Sequence, residues 1–126
     1  MGLFSSTKKE DNFKKEFGWI SLENTQQLES ILEESFDNKI LIFKHSSRCS
    51  ISRMALKQFE NEFLSPDKVQ CYYLDLLNFR EVSNEIALKF NIEHQSPQLL
   101  IISNGVCTAS YSHSEIQASE IKKTIY

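Results

Sequence analysis

The sequence lacks any apolar run that approaches the roughly 20 residues of a membrane-spanning helix. It also lacks internal repeats and low-complexity segments, and it has only three glycines and two prolines. Hydrophobic residues make up 40% and charged residues 25% of the 126 residues, both near the average for globular domains. These features exclude a disordered chain and a membrane protein, and the length is that of one domain.

An excess of positive charge is absent too. The formal net charge is −3, so the charge of the protein gives no reason to expect a nucleic-acid partner. The three cysteines, Cys49, Cys71 and Cys107, are an odd number, and their spacings fit no zinc-binding pattern. We therefore expect no metal site, no structural disulfide and a reducing, cytoplasmic compartment.

The N-terminal segment carries no apolar stretch of signal-peptide length. Residues 1–16 are dominated by lysines and acidic residues and are predicted to be a charged, flexible tail that precedes a domain at 17–126. The segment Met1–Ser6 matches the N-myristoylation pattern. That pattern is short and often matched by chance, so no membrane partner is expected.

From residue 17 onward, strand-like and helix-like segments alternate. Apolar and β-branched runs predict strands, and apolar residues at helical spacing predict helices. The predicted strands are 17–22, 39–45, 69–77, 98–103 and 106–111. Three of the predicted helices are 23–36, 80–90 and 114–124, and the first of these has Phe36 on its apolar stripe. The fourth follows Cys49 and ends at Ser65-Pro66. Its apolar residues at helical spacing are Ile51, Met54, Ala55, Phe59 and Phe63.

This order predicts an α/β fold with a mostly parallel sheet. Asn104-Gly105 predicts a tight hairpin, so the last strand is antiparallel. The order is that of the thioredoxin-like fold, a central mixed five-stranded sheet flanked by four helices.

Cys49 is the first candidate catalytic residue, because it lies between a buried strand and the helix that follows. Helix N-termini present unpaired amides and partial positive charge, which lower the pKa of cysteine thiols. Lys44, His45, Arg48 and Arg53 are near in sequence and favour the thiolate. The competing interpretation is a small cysteine packed near the core.

Ser52 is the second candidate catalytic residue, since it replaces the second cysteine of a Cys-x-x-Cys motif. Positions 49 and 52 are neighbours on a helix. The Ser52 hydroxyl can donate a hydrogen bond to the thiolate, but it cannot resolve a mixed disulfide. The site is therefore monothiol and must transfer its disulfide to an external thiol.

Ser96 and Pro97 precede the fourth predicted strand. If that strand pairs antiparallel with the second strand, Pro97 lies beside Cys49, and the backbone of Ser96 is free to pair with a substrate. A cis proline there would have a purpose, whereas an ordinary trans proline is the alternative. Cys71 is expected in the core and Cys107 on an edge strand, while His94 and His113 are expected to be solvated.

These segments resemble one family, the monothiol bacilliredoxins, also called bacillithiol system redox-active proteins of the YtxJ type. The resemblance runs from about Gly18 through the closing helix, including Trp19 and His113-Ser114. The matching segments are 43–56, with the Cys49–Ser52 motif, 74–77, and 94–99. It implies a thioredoxin-like fold, Cys49 as the redox cysteine and Pro97 as the cis proline of the wider group.

The resemblance further implies that the protein removes bacillithiol from S-bacillithiolated proteins, with bacillithiol as a thiol co-substrate. We also expect a monomer without a bound cofactor. Cys49 would attack the mixed disulfide, and a second bacillithiol would release the adduct. Bacillithiol carries a malate group, which we expect Lys44, Arg48 and Arg53 to receive by charge-assisted hydrogen bonds.

Two functions of other classes remain as alternatives. The first is an iron–sulfur cluster carrier like monothiol glutaredoxins, although Ser50 stands where those proteins usually have glycine. The second is a non-catalytic thioredoxin-like interaction module. The small thiol could also be one other than bacillithiol.

Overall fold

A computed structural model describes residues 17–63 and 69–125. The predictions for the tail at 1–16, the acylation pattern at Met1–Ser6 and the helix end at Ser65-Pro66 lie outside these residues. The proposed start of the domain at residue 17 therefore stays a prediction.

The order of helices and strands is the one predicted from sequence. The strands are β1 (Ile20–Ser21), β2 (Lys39–His45), β3 (Val69–Asp75), β4 (Gln98–Ser103) and β5 (Val106–Ser112), and the helices are α1 (Gln26–Glu34), α2 (Ser50–Phe63), α3 (Arg80–Lys89) and α4 (Ala118–Ile125). The predicted bounds of β2 and β4 are confirmed. The prediction that the last helix begins at Ser114 is wrong, because a 3₁₀ turn (His113–Glu115) precedes α4. A hydrogen bond of 3.0 Å from the Ser112 amide to Glu115 Oε1 stabilises this turn.

The five strands form one mixed sheet in the order β1-β3-β2-β4-β5. β3 pairs in parallel with β1 and β2, and β4 pairs antiparallel with β2 and β5. At the β4–β5 turn, Asn104 and Gly105 have φ values of 52° and 79°, the positive values that a type I′ hairpin requires. The predicted thioredoxin-like α/β fold is confirmed.

Both faces of the sheet are covered, so its central strands alternate between two cores. Leu41 and Phe43 pack in the core formed with α2 and α4, whereas Ile40 and Ile42 pack in the core formed with α1 and α3. All four are fully buried. This arrangement carries the carboxyl end of β2, and with it Cys49, to one edge of the sheet.

Three apolar residues that the helical spacing placed on buried faces are exposed. Phe36 is 64% exposed, Ile51 is 64% exposed and Met54 is 70% exposed. Phe36 lies beyond the end of α1. The buried face of α2 contains Ser52, Phe59, Glu60 and Phe63, and Ile51 and Met54 lie outside it. Helical spacing alone did not identify which side of α2 meets the sheet.

Candidate active site

Cys49 occupies the N-cap position of α2. Its amide donates to the Ser46 carbonyl at 3.1 Å, and its own carbonyl accepts from the Arg53 amide at 3.0 Å. A residue whose carbonyl accepts the first helical hydrogen bond is an N-cap, next to the unpaired amides of the first turn. The half-buried Cys49 is therefore placed where the helix dipole favours an anion.

Ser52 anchors the turn that carries Cys49. The side chain is fully buried, and its hydroxyl oxygen accepts from the Ser46 amide at 3.1 Å. The same oxygen lies 2.9 Å from His45 Nδ1. A hydroxyl has one proton and two lone pairs. If Nδ1 carries a hydrogen, the Ser52 proton is left for another acceptor; if it does not, that proton goes to His45. The expected hydrogen bond from Ser52 to Cys49 therefore requires the first of these states.

A buried polar cluster lies beneath the Cys49 turn, and the sequence analysis did not predict it. The His45 ring packs on Tyr73, with centroids 5.5 Å apart, and the Trp19 indole donates to Glu60 Oε2 at 2.5 Å. Burial, together with Asp75 and Glu60, raises the pKa of Tyr73 to about 12. Glu60 lies two turns beyond Ser52 on the same face of α2, a spacing that could have indicated the cluster.

Pro97 lies beside the end of β2, as predicted. The Ser96–Pro97 peptide bond is cis, and Lys44 of β2 is the register partner of Gln98 of β4. The Pro97 carbonyl accepts from the His113 amide at 3.1 Å, and His113 has a positive φ of 52°. The Cys49 turn, the loop before β4 and the end of β5 therefore meet at one edge of the sheet.

The predicted grouping of Lys44 with Arg48 and Arg53 is wrong for Lys44. Lys44 is fully buried, on the opposite side of β2 from His45. Its amine lies 3.4 Å from the Ser83 carbonyl oxygen and 3.4 Å from His94 Nδ1. Burial lowers the pKa of Lys44 to about 8. Consecutive residues of a strand point to opposite faces, which is why Lys44 is directed toward Ser83 and His94 on the side of β2 opposite His45.

Arg48 and Arg53 are both exposed near Cys49. Arg53 Nη1 donates to the Ser47 carbonyl at 3.1 Å, which places this guanidinium over the turn. Because a guanidinium has five N–H donors, this bond leaves Arg53 with donors for an anion. The two arginines form the exposed basic group that flanks Cys49.

The other two cysteines lie in environments unlike that of Cys49. Cys71 is buried in the core, as predicted, and burial raises its pKa to about 12. The Cys107 thiol, on the edge strand β5, donates to the Ala109 carbonyl at 3.2 Å, and burial raises its pKa. Both thiols favour the neutral, unreactive form.

His94 and His113 differ in exposure. His94 is partly buried and contacts Lys44 and Ser83, so it is less solvated than predicted. Burial lowers the pKa of His94, and the nearby charges of Lys44 and Arg80 lower it further. His113 is exposed, as predicted.

Within residues 17–63 and 69–125, no group of three or more histidine, cysteine or acidic side chains could hold a metal ion. None of the helices described in this part of the chain is long and apolar enough to cross a membrane.

Comparison with protein families decides the assignment. The profile described as monothiol bacilliredoxin BrxC matches residues 20–121. The chain belongs to the monothiol bacilliredoxin family. Membership identifies a bacilliredoxin-type thiol oxidoreductase and confirms the resemblance found in the sequence.

Solved structures are similar to this chain in fold. One, a protein of thioredoxin fold whose description proposes oxidoreductase activity, is 34% identical with a TM-score of 0.74, over 84% of this chain and 92% of that one. Thioredoxin from Fasciola hepatica is 16% identical with a TM-score of 0.66, over 83% and 94%. Thioredoxin from Trypanosoma brucei brucei is 15% identical with a TM-score of 0.68, over 87% and 93%. The two thioredoxins support the fold alone.

Proposed function

We propose that this bacilliredoxin removes bacillithiol from S-bacillithiolated proteins in a reducing cytoplasm, through a mixed disulfide on Cys49. The observation that carries the proposal is the N-cap position of Cys49 in a chain of this family. The other two thiols are buried or half-buried, with a raised pKa. Cys49 is therefore the cysteine best placed to act as the attacking thiolate.

Two disulfide exchanges complete the reaction. The Cys49 thiolate attacks the bacillithiol sulfur of the client's mixed disulfide, and the client sulfur leaves as a thiolate that takes a proton from water. A second bacillithiol thiolate then attacks the bacillithiol sulfur on Cys49. The symmetric bacillithiol disulfide forms, and the Cys49 thiolate is released. The two exchanges need no outside oxidant or reductant, because one mixed disulfide and one bacillithiol give one symmetric disulfide and one client thiol.

The residues around Cys49 have separate parts in this proposal. Ser52 holds the Cys49 turn through the Ser46 amide and, in the state where His45 Nδ1 carries hydrogen, offers its proton to the thiolate. The backbone at Ser96, just before Pro97, pairs with the substrate. The Ser96 hydroxyl is buried and has no hydrogen-bond partner among the described residues. This group supports the proposal because a bound substrate can supply the hydrogen bond.

The experiment that tests the proposal measures the transfer of bacillithiol from a client protein to Cys49. A bacillithiol-modified protein is incubated with this protein, with and without added bacillithiol, and both are followed by intact mass spectrometry. We expect Cys49 to gain one bacillithiol while the client is freed, and added bacillithiol to remove the adduct. Cys49→Ala should show neither step, whereas Cys107→Ala should show both. A client that stays modified in the presence of the wild-type protein would refute the proposal.

Arg48 and Arg53 are proposed to receive the malate carboxylates of bacillithiol. Replacing both by glutamine removes two exposed cations that would make charge-assisted hydrogen bonds. Because solvent screens exposed pairs, we expect the KM for bacillithiol to rise by about tenfold at most, with less effect at high salt. Steady-state kinetics at two ionic strengths check this, with Lys57→Gln/Lys123→Gln, which removes two other exposed cations, as the control for net charge. An unchanged KM would remove the arginines from the site.

A further inference from the structure

Two polar side chains lie buried on the otherwise apolar face of the sheet that α1 and α3 cover. Lys44 of β2 and Gln98 of β4 are register partners on antiparallel strands, so their side chains project from the same face. Gln98 is 1% exposed and Lys44 is fully buried. Burying an amide or an amine costs free energy unless it forms hydrogen bonds, so the partners of these two residues indicate what they do.

Gln98 holds the backbone of the loop that precedes β4. Its Nε2 donates to the Glu93 carbonyl at 3.0 Å, and its Oε1 accepts from the Gln95 amide at 3.4 Å. One buried side chain thus binds the loop at two backbone positions. Because the polar groups of a loop backbone need partners as much as those of helices and strands do, these bonds determine the path of the chain up to the residue before Ser96.

Lys44 holds the same loop through the His94 ring. The Lys44 amine lies 3.4 Å from His94 Nδ1 and 3.4 Å from the carbonyl oxygen of Ser83 in α3, and the Ser83 hydroxyl lies 3.2 Å from His94 Nδ1. An ammonium has three donors and no acceptor, so Lys44 is the donor in both of its contacts. The loop is therefore tied to β2 through Lys44 and to α3 through Ser83.

The loop that these side chains hold is the one that meets the candidate active site. Gln95, whose amide is bonded to Gln98, comes directly before Ser96. Pro97 comes directly after it, and the Pro97 carbonyl accepts from the His113 amide at 3.1 Å. Hydrogen bonds on both sides of Ser96 therefore set its position.

We propose that Gln98 and Lys44 are positioning residues, which hold the loop at 93–96 so that the backbone of Ser96 can pair with the backbone of a substrate. This inference rests on the pairing at Ser96 in the proposed function, and it adds the residues that prepare the loop for it. A binding group must be held close to its productive position, and a displacement of about 1 Å can lower a rate severalfold or more. That requirement gives a reason for polar side chains at two positions where apolar ones would pack in the core.

Peptide substrates with and without backbone donors test this proposal. A peptide whose cysteine carries a thiopyridyl group reacts when the Cys49 thiolate attacks the peptide sulfur and pyridinethione leaves, and the absorbance of pyridinethione gives the rate. A second peptide of the same sequence has N-methyl groups on the two residues that flank its cysteine, so it lacks their N–H donors. Each rate is divided by the rate of the same peptide with free cysteine. We expect the wild-type protein to react about tenfold faster with the first peptide, the effect of one or two hydrogen bonds.

The variants Gln98→Leu and Lys44→Met remove the hydrogen bonds and nearly keep the size of each side chain. We expect each to lower the rate with the unmethylated peptide by about fivefold, and to leave the rate with the methylated peptide within about twofold of wild type. His94→Ala removes a ring that is only partly buried, so it leaves the core intact, and its loss should be of the same kind but smaller. Gln26→Leu and Lys57→Met, which replace exposed residues of α1 and α2, are the matched controls and should change neither rate.

The reaction of Cys49 with iodoacetamide, which needs no backbone pairing, should stay within about twofold of wild type in every variant. Equal losses with both peptides would overturn the proposal, because they would mean that the variants disturb Cys49 or the fold. Unchanged rates in Lys44→Met and His94→Ala would overturn it as well, and these two variants decide if Gln98→Leu does not fold. A wild-type protein without a preference between the peptides would exclude pairing at Ser96. If bacillithiol is never transferred but the variants lose the preference, the positioning role stands and the proposed function fails.

Discussion

Replacing Ser52 by cysteine should make the release of bacillithiol from Cys49 independent of a second bacillithiol molecule. In the wild-type protein, the adduct on Cys49 persists until an external thiol attacks it. A thiol at position 52 can attack the Cys49 sulfur of the adduct, so that a Cys49–residue 52 disulfide forms and bacillithiol leaves. The structure places position 52 in the first turn of α2, three residues from the N-cap cysteine, where the two side chains are neighbours.

The size of the effect follows from the change from a bimolecular to an intramolecular reaction. Groups held close together react as if one of them were at a concentration of about millimolar or much higher. We therefore expect the lifetime of the adduct without free bacillithiol to shorten by about a hundredfold or more. In the tautomer without a hydrogen on Nδ1, His45, whose Nδ1 lies 2.9 Å from the present hydroxyl, can accept the proton of the introduced thiol.

The Ser52→Cys substitution also has a cost in stability. A thiol accepts hydrogen bonds weakly, so the Ser46 amide loses most of its bond to position 52. We expect the free energy of unfolding to fall by about 1 kcal/mol, which is measured by urea unfolding under reducing conditions.

Intact mass spectrometry of the adduct after removal of free bacillithiol checks the main prediction. Ser52→Ala is the control, because it removes the hydroxyl without adding a thiol, and its adduct should persist as long as that of the wild type. An equally persistent adduct in Ser52→Cys would mean that position 52 does not approach the Cys49 sulfur, and that the Cys-x-x-Ser interpretation of the site is incorrect.

The order of helices and strands, and with it the fold, could be predicted because clear turn signals separate the segments in the sequence. The apolar runs of β2 and β4 are flanked by polar turns, so their bounds were predicted without error. Asn104-Gly105 fixed the hairpin through its tolerance of positive φ. The position of Cys49 followed from the same pattern, because a residue between a buried strand and a helix lies at the helix N-terminus.

The surroundings of the site could not be predicted to the same degree, since they depend on which side of an element is covered. Because side chains alternate between the two faces of β2, Lys44 and His45 point to opposite sides of the sheet. Both faces are buried, so the sequence does not show which residues contact either side chain. The same holds for α2, where the sequence suggested a face with Ile51 and Met54. The structure instead buries Ser52 and Glu60, whose partners come from strands distant in sequence.

Lys44 should make the protein's stability rise with pH over a range where most exposed lysines have no effect. Burial lowers its pKa from 10.5 to about 8. Between these values the unfolded chain holds a proton that the folded protein has released. The unfolded state then binds more protons, so the contribution of Lys44 to the free energy of unfolding increases with pH. Below pH 8 the full penalty for burying the charge is present, and at 1.36 kcal/mol per unit it amounts to about 3 kcal/mol.

The variant Lys44→Met keeps the unbranched chain and removes the ionisable group. We expect the difference in free energy of unfolding, variant minus wild type, to be nearly constant between about pH 7 and 7.5, to begin to decrease as Lys44 loses its proton near pH 8, and to have decreased by about 3 kcal/mol at pH 10.5. Loss of the contacts to Ser83 and His94 shifts this difference by a constant amount and does not change its slope. Urea unfolding at a series of pH values, under reducing conditions, measures it.

The comparison isolates Lys44 because the other buried groups titrate in both proteins. Burial raises the pKa of Cys71 and Tyr73 to about 12 each, so the folded protein keeps protons that the unfolded chain loses, and both groups lower the stability as pH rises above about 9. Their effect cancels in the difference. Lys57→Met, which removes an exposed ammonium on α2, should give a curve parallel to the wild type. A parallel curve for Lys44→Met would mean that the amine keeps its proton in the folded state, held by Ser83 and His94 more strongly than burial disfavours it.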